Sequence, residues 1–284
     1  MVYSAKDLIS YKMLTRSQKL NAFPHTHATP AEYEAELVRL YMQQLQLAHD
    51  DYLHSHSRNR ALIRRQISIF ERCQDFLLDV ETFLDWGCRH AADACMVRML
   101  RGGAVKLYGC DVDEGSYKAF YDFADLQYSQ LTHAWRLPYE DNQFDAVFGS
   151  GVLEHVANDS ESLKELYRII RPGGHFIMTM LPNKLSYTEW LNRRLKNPHH
   201  LRLYSLQEIH YMFMHHGFRP MRYGYHQMIP TLSSPKGGIF DLPFANTLVE
   251  RLFSMNGVLE RLWPVNRIST NIFMVGRKVE AFHG

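Results

Sequence analysis

From residue 81 the chain alternates short apolar runs with amphipathic stretches, and few architectures accommodate that pattern. "TFLDWG" (82–87), "AVKLYGCD" (104–111), "SQLTHAW" (129–135), "FDAVFGS" (144–150) and "GHFIMTML" (174–181) read as strands. Residues 91–101, 114–125 and 159–170 read as helices between them. Such alternation predicts an α/β fold, a doubly wound parallel sheet covered by helices on both faces. "SLQEIHYMFMHHGF" adds a helix with a capping box at Ser205 and Glu208 and a stop at Gly217. "PMRYGYH" and "TNIFMVGRK" supply two more strands near the end.

The first 80 residues differ in character and read as a helical N-terminal cover, with the sheet domain over 81–284. Thr29, Pro30 and Glu32 of "TPAEYEAEL" mark a helix start. Leu37, Tyr41, Leu45, Ala48 and Tyr52 share one helical face, and Ile63, Ile67, Phe70 and Leu77 repeat it in a second helix. Two stretches break the alternation, at about 182–204 and 228–267, and connections this long are lids, binding loops or packing insertions.

Composition narrows the partners. A net charge of +2 with dispersed basic residues gives no dedicated nucleic-acid surface, so none is expected. Nothing approaches the roughly 20 apolar residues of a membrane span. "MVYSAKDLISYKML" has no leader pattern, and the four cysteines form no C-x-x-C, so a cytoplasmic protein with reduced thiols is expected. The histidine pairs 25/27, 54/56, 199/200 and 215/216 lack the carboxylates of a metal motif, so no metal is expected.

Chemistry belongs outside the carboxyl ends of parallel strands. Asp85 and Gly87 end the first strand, where a glycine lets backbone approach a ligand. Asp111 ends the second, where an acid can accept both hydroxyls of a ribose. Either acid can equally cap a helix or pair with a base. Arg89 and Ala91 stand where nucleotide loops usually carry glycines. The Arg89 guanidinium can pair with a ligand carboxylate, or point to solvent from a loop on a wider path.

A longer block is more specific: "LPYEDNQFDAVFGSGVLEHV", then "LKELYRIIRPGGHFIMTML". Through Leu137, Pro138, Asp141, Phe144, Asp145, Val147, Leu153, His155 and Arg171–Gly174, the chain resembles class I S-adenosylmethionine-dependent methyltransferases. The likeness is to the branch of ubiquinone/menaquinone-type and small-molecule or glycan enzymes, and covers about 80–225 plus the last strand. It implies a Rossmann-like seven-stranded sheet whose last strand, Thr270–Lys278, is antiparallel. It implies S-adenosyl-L-methionine as cofactor, with Asp85 and Gly87 beside the methionine portion and Asp111 on the ribose. Val112 would pack on the adenine, Ala134 and Trp135 would border its edge, and Ser150 and Gly151 would offer backbone contacts. His155 would face the reaction centre. The missing glycines and a third-strand loop, "THAW", with His133 but no carboxylate depart from the family pattern.

Methyl transfer to a hydroxyl needs a proton acceptor. His155 is the candidate base or orienter, and Glu154 a second candidate catalytic residue. The first insertion sets Lys184, Arg193, Arg194, Lys196 and Arg202 against Glu189, with Tyr187, Trp190, His199 and His200 among them. It suits an anionic or sugar-like acceptor, or is an amphipathic cap with a solvated basic face. The second insertion carries Leu248, Leu252, Met255 and Leu259 on one stripe and can cover the acceptor, pair two subunits as a homodimer, or touch a membrane surface. The resulting expectation is an O-methyltransferase for a small-molecule or glycan/lipid-linked acceptor. A nicotinamide-dependent oxidoreductase and a non-catalytic methyltransferase-like partner protein are the alternatives.

Overall fold

The computed structural model describes residues 28–279 except 49, 197–199, 201 and 230–254. His25, His27, His199, Leu248 and Leu252, and most of the second insertion, lie outside the described residues.

Helices α1 (Pro30–Leu47), α2 (Asp51–Arg58) and α3 (Arg60–Glu71) come first. Thr29 caps α1 by accepting the Glu32 N–H, and Glu32 reciprocates, with Pro30 in the first turn. The face running from Leu37 to Tyr52 is not one helix, because α1 ends at Leu47. Asp50 then starts α2, its Oδ1 accepting the N–H groups of Tyr52 (2.8 Å) and Leu53 (3.1 Å). A short acid that binds backbone locally competes with helix continuation. In α3, Ile63, Ile67 and Phe70 are buried, whereas Leu77 falls in a separate 3₁₀ turn, Gln74–Leu77.

The remaining elements are β1 (Thr82–Trp86), α4 (Ala92–Arg101), β2 (Lys106–Asp111), α5 (Lys118–Ala124) and β3 (Gln127–Gln130). β4 (Phe144–Ser150), α6 (Asp159–Ile169), β5 (Ile170–Pro182), α7 (Tyr187–Arg194) and α8 (Leu206–His215) follow. β6 (Phe218–His226), α9 (Asn256–Leu259) and β7 (Asn271–Lys278) complete the fold. The seven strands are ordered β3-β2-β1-β4-β5-β7-β6, with β1 to β5 parallel and β7 antiparallel to both its neighbours. The expected Rossmann-like sheet with an antiparallel last strand is therefore present. The order reverses between β1 and β4, which opens a crevice at their carboxyl ends.

Two boundaries differ from the sequence reading. β3 ends at Gln130, and "LTHAW" turns instead of pairing, because His133 Nδ1 accepts the N–H groups of Trp135 (3.3 Å) and Arg136 (3.0 Å). The "RPGG" run lies inside β5 as a bulge, since the register with β4 shifts between Ile170 and His175.

Each sheet face has its own core. Phe83, Phe148 and Ile177 join Tyr33, Tyr41 and Phe70 from the N-terminal helices, while Leu84, Val147 and Phe176 pack with Leu163, Phe213 and Phe218. The N-terminal helices thus complete one side of the sheet. Burying each of their large side chains contributes roughly 1.5–3 kcal/mol.

Candidate cofactor cleft and acceptor pocket

β1 runs into Gly87, whose φ of 68° turns the chain across β2. The N–H groups of Gly87 (2.8 Å) and Cys88 (3.1 Å) both donate to the Cys110 carbonyl. A Cβ at Gly87 would stand 2.5 Å from Val152 Cγ2, so both backbone and space demand glycine here. Arg89 (φ 42°) and Ala91 (φ 58°) also adopt left-handed conformations. The loop therefore keeps a glycine-like path without the glycines, at a cost of roughly 1–2 kcal/mol per residue.

The surroundings hold that path in place. The Arg89 N–H donates to Asp111 Oδ2 (2.8 Å), and Tyr121 hydroxyl donates to the Arg89 carbonyl. The Arg89 guanidinium lies 3.9 Å over the Tyr52 ring, with Nε donating to the Tyr117 hydroxyl (3.1 Å). Asp50 stands 4.0 Å from the same guanidinium. His90 Nε2 lies 2.7 Å from the Tyr41 hydroxyl, and burial pushes the His90 imidazole well below its usual pKa. Through Tyr41, Asp50 and Tyr52, the N-terminal helices clamp the loop from outside.

Beside this loop opens a cleft of about 390 Å³. Gly87, Asp111, Val112, Ala134, Trp135, Gly151 and His155, all singled out in the sequence, line it together. His133 lines it as well. Asp111 Oδ1 accepts the Val112 N–H (2.6 Å), fixing the carboxylate at the end of β2 with lone pairs to spare. Val112 is 69% exposed and Trp135 39%, so two apolar faces stand bare beside it. The other sequence-derived residues stand behind the wall. Ser150 Oγ accepts from Thr179 Oγ1 (3.1 Å), and the Arg89 side chain is directed to the N-terminal helices. Asp85 is buried under α4, its Oδ2 accepting the Ala94 N–H (3.1 Å). Burial, reinforced by Asp93, pushes the Asp85 carboxyl far above the usual range. Asp93 itself is pushed up to about 7 by burial.

Beside His155, which lines the cleft, lie a buried acid and a second imidazole. Glu154 is buried, and its Oε1 lies 3.6 Å from where a Gly151 Cβ would stand and 3.8 Å from His155 Nε2. Its Oε2 has no hydrogen-bond partner, and burial raises the carboxyl to about 7. Burial, with the neighbouring His200, holds His155 below its ordinary value. The His200 ring lies 6.3 Å from that of His155, and its Nδ1 is 2.8 Å from Glu189 Oε1. Glu189 is buried on α7, with Oε2 unpartnered. Sequence reading placed Glu189 on a solvated helix; its burial and its pairing with His200 were missed, as were Asp93 and Val152. Arg202 does not reach the cleft: it donates to the carbonyls of Leu153 (3.3 Å) and Val156 (3.1 Å), bracing the loop that carries Glu154. Among the described residues, no group of three or more His, Cys, Asp or Glu is placed to hold a metal ion.

Residues 84–178 match the methyltransferase domain family model. Over 78 residues the chain is 37% identical to a demethylmenaquinone methyltransferase of Symbiobacterium thermophilum, covering 25% of this chain and 31% of that protein. Over 129 residues it is 28% identical to a Mycolicibacterium smegmatis protein named as an S-adenosylmethionine-dependent methyltransferase, covering 44% and 47%. The chain thus spans about a third to a half of the length of these relatives. An Archaeoglobus fulgidus S-adenosylmethionine-dependent methyltransferase shares the fold, with a TM-score of 0.52 at 14% identity over 84% of this chain and 99% of that one. With the sheet order and the Gly87–Asp111–Gly151 cleft, these matches make residues 84–178 a methyltransferase domain of the class I S-adenosylmethionine-dependent family, and S-adenosylmethionine is the cofactor that membership implies.

Proposed function

We propose that the chain binds S-adenosylmethionine in this cleft and directs its methyl group to a small acceptor, a hydroxyl on a lipid-linked or glycan-type molecule. The observation that carries the reading is the joining of Gly87, Asp111 and Gly151 around one cleft at the switch point of the sheet. The residues fit the cofactor. Asp111 retains acceptor capacity for two adjacent hydroxyls, and Val112 and Trp135 offer faces to a flat ring. Gly87 and Gly151, both at positive φ, leave room for close backbone approach. The unpartnered Glu154 Oε2 suits the cationic end of such a ligand.

Bound there, S-adenosylmethionine supplies a methyl group activated on a sulfonium. The protein's part is to align the acceptor, exclude water and take the acceptor's proton. His155 lines the cleft, and its lowered pKa keeps it neutral at neutral pH, the state of a proton acceptor. Glu189 Oε1 lies 2.8 Å from His200 Nδ1 and fixes the orientation of that ring. Of Glu154, His155, Glu189 and His200, it is His155 that lines the cleft, so it is the group that would meet an acceptor there. The relatives named for demethylmenaquinone support a lipid-like acceptor, and the same arrangement would serve a phenolic hydroxyl.

Titration calorimetry with S-adenosylmethionine and with NAD separates the rival chemistries. Saturable heat with the first and none with the second is expected. Binding of NAD alone would turn the reading toward an oxidoreductase, and binding of neither toward a non-catalytic partner.

A further inference from the structure

The two segments that interrupt the strand–helix alternation are hydrogen-bonded to each other. The Asn183 N–H donates to the Thr270 carbonyl (3.0 Å), and Asn183 Nδ2 donates to the carbonyls of Arg267 (2.9 Å) and Ser269 (2.8 Å). The Thr188 hydroxyl lies 3.4 Å from that of Thr270. The start of α7 is thereby stitched to the end of the 255–270 segment. α7 buries Glu189 against His200 and leaves Trp190 60% exposed, with Leu191 and Leu195 also exposed. The neighbouring segment exposes Val258, Leu262 and Trp263, the last at 77%.

The exposed charge carried by these two segments has one sign, with Lys184 paired to Glu208 of α8 (2.9 Å) at the edge of the first. Arg193, Arg194 and Lys196 surround the first group, and Arg261 and Arg267 the second, all exposed. The acids within 183–196 and 255–268 are Glu189 and Glu260 alone, and both are buried. Glu189 faces His200, and Glu260 pairs with Arg72 (2.9 Å). The exposed surface of both segments is therefore aromatic, aliphatic and cationic, with no exposed carboxylate. Tryptophan and leucine flanked by arginine suit the headgroup region of a bilayer, where the rings enter the acyl boundary and the guanidinium groups meet anionic lipid. A second copy of the chain would bring arginine against arginine, an unfavourable juxtaposition.

We propose that this face docks the protein on an anionic phospholipid surface, so that the acceptor enters the cleft from the bilayer. The docking stands on the surface itself, and the delivery of acceptor rests on the methyltransferase reading above.

Co-sedimentation with vesicles of phosphatidylcholine, alone or with about one third phosphatidylglycerol, tests it. The full chain is expected to bind the anionic vesicles at least about tenfold more strongly than the neutral ones, and to be released by about 0.5 M salt. Trp190→Ser with Trp263→Ser, and separately Arg193→Gln with Arg194→Gln, should each weaken binding by about tenfold or more, with circular dichroism unchanged. No binding to anionic vesicles, or binding indifferent to both pairs of substitutions, would overturn the proposal. So would a dimer in analytical ultracentrifugation that the tryptophan pair dissociates, because the face would then belong to a second copy. Calorimetry with S-adenosylmethionine on the same samples keeps the two readings apart. Cofactor binding without vesicle binding sinks the docking alone, and vesicle binding without cofactor binding supports the docking while removing the methyl transfer it serves.

Discussion

At the Gly87–Ala91 loop a strained backbone is held by paired groups, whereas beyond His155, at Glu154 and Glu189, two buried carboxylate oxygens have no partner. Arg89 and Ala91 carry positive φ, yet the Arg89 N–H is tied to Asp111, its carbonyl to Tyr121 and its side chain to Tyr52 and Tyr117. Glu154 Oε2 and Glu189 Oε2 are buried and unsatisfied within the protein. A buried unpaired acceptor costs roughly 1–3 kcal/mol, a penalty that a ligand's donors or positive charge relieve. The Arg89 backbone is thus tied within the protein, although His90 Nδ1 and Asp93 Oδ1 beside it also lack partners; at Glu154 and Glu189 the unpartnered atoms are carboxylate oxygens.

The sharpest break in this contrast is Gly87→Val. A β-branched residue at φ 68° whose Cβ meets Val152 at 2.5 Å should weaken S-adenosylmethionine binding more than about a hundredfold. Near-normal affinity in calorimetry, with the fold intact by circular dichroism, would sink the loop assignment.

Glu154→Gln probes the second region through pH. A folded-state carboxyl at about 7 against an unfolded 4.5 means that the native state holds its proton longer. The stability this gives is complete below about 4.5 and is lost as pH rises through about 7. The wild type should therefore lose stability over that window, by on the order of 3 kcal/mol from this group, while Glu154→Gln flattens the profile. Asp93, also held near 7, adds a slope of the same sign that Glu154→Gln leaves in place. Chemical denaturation from pH 4 to 8 gives the answer, and superimposable profiles would contradict the account.

Arg89→Ala separates stability from binding. Loss of the contact over Tyr52 and the bond to Tyr117 should cost about 1–2 kcal/mol of stability. Cofactor affinity should fall less than about fivefold, because alanine keeps the N–H that holds Asp111. A loss above about thirtyfold would make the guanidinium itself a ligand. The smallest effect belongs to Ala91→Gly, which relieves a left-handed alanine and should stabilise the chain by up to about 1 kcal/mol in thermal unfolding, with binding unchanged.

Much of the first region was legible in the sequence. Parallel strands bring their carboxyl ends to one edge, so Asp85, Gly87 and Asp111 were placed near one another by strand positions, whereas Gly151 came with the family resemblance. The conformations at Arg89 and Ala91 were not, since nothing in "CRHA" announces a left-handed path enforced by Tyr41, Tyr52 and Tyr121 from distant helices. Nor was the place of Asp85, whose burial under α4 depends on tertiary packing. In the second region, Glu189 reads as one acid on a basic helix. Its burial and its pairing with His200 come from tertiary packing, which no periodicity encodes. "LTHAW" misleads for a similar reason: its apolar residues serve the cleft wall instead of a strand.

The central claim, a cofactor cleft that works without its usual glycines, is tested most directly by titrating S-adenosylmethionine into the wild type and Asp111→Ala in parallel. Saturable binding to the wild type, weakened about thirtyfold or more by the substitution, is the expected result, since two hydrogen bonds to a charged acceptor are removed. No binding to the wild type, or equal affinity in both proteins, would contradict it.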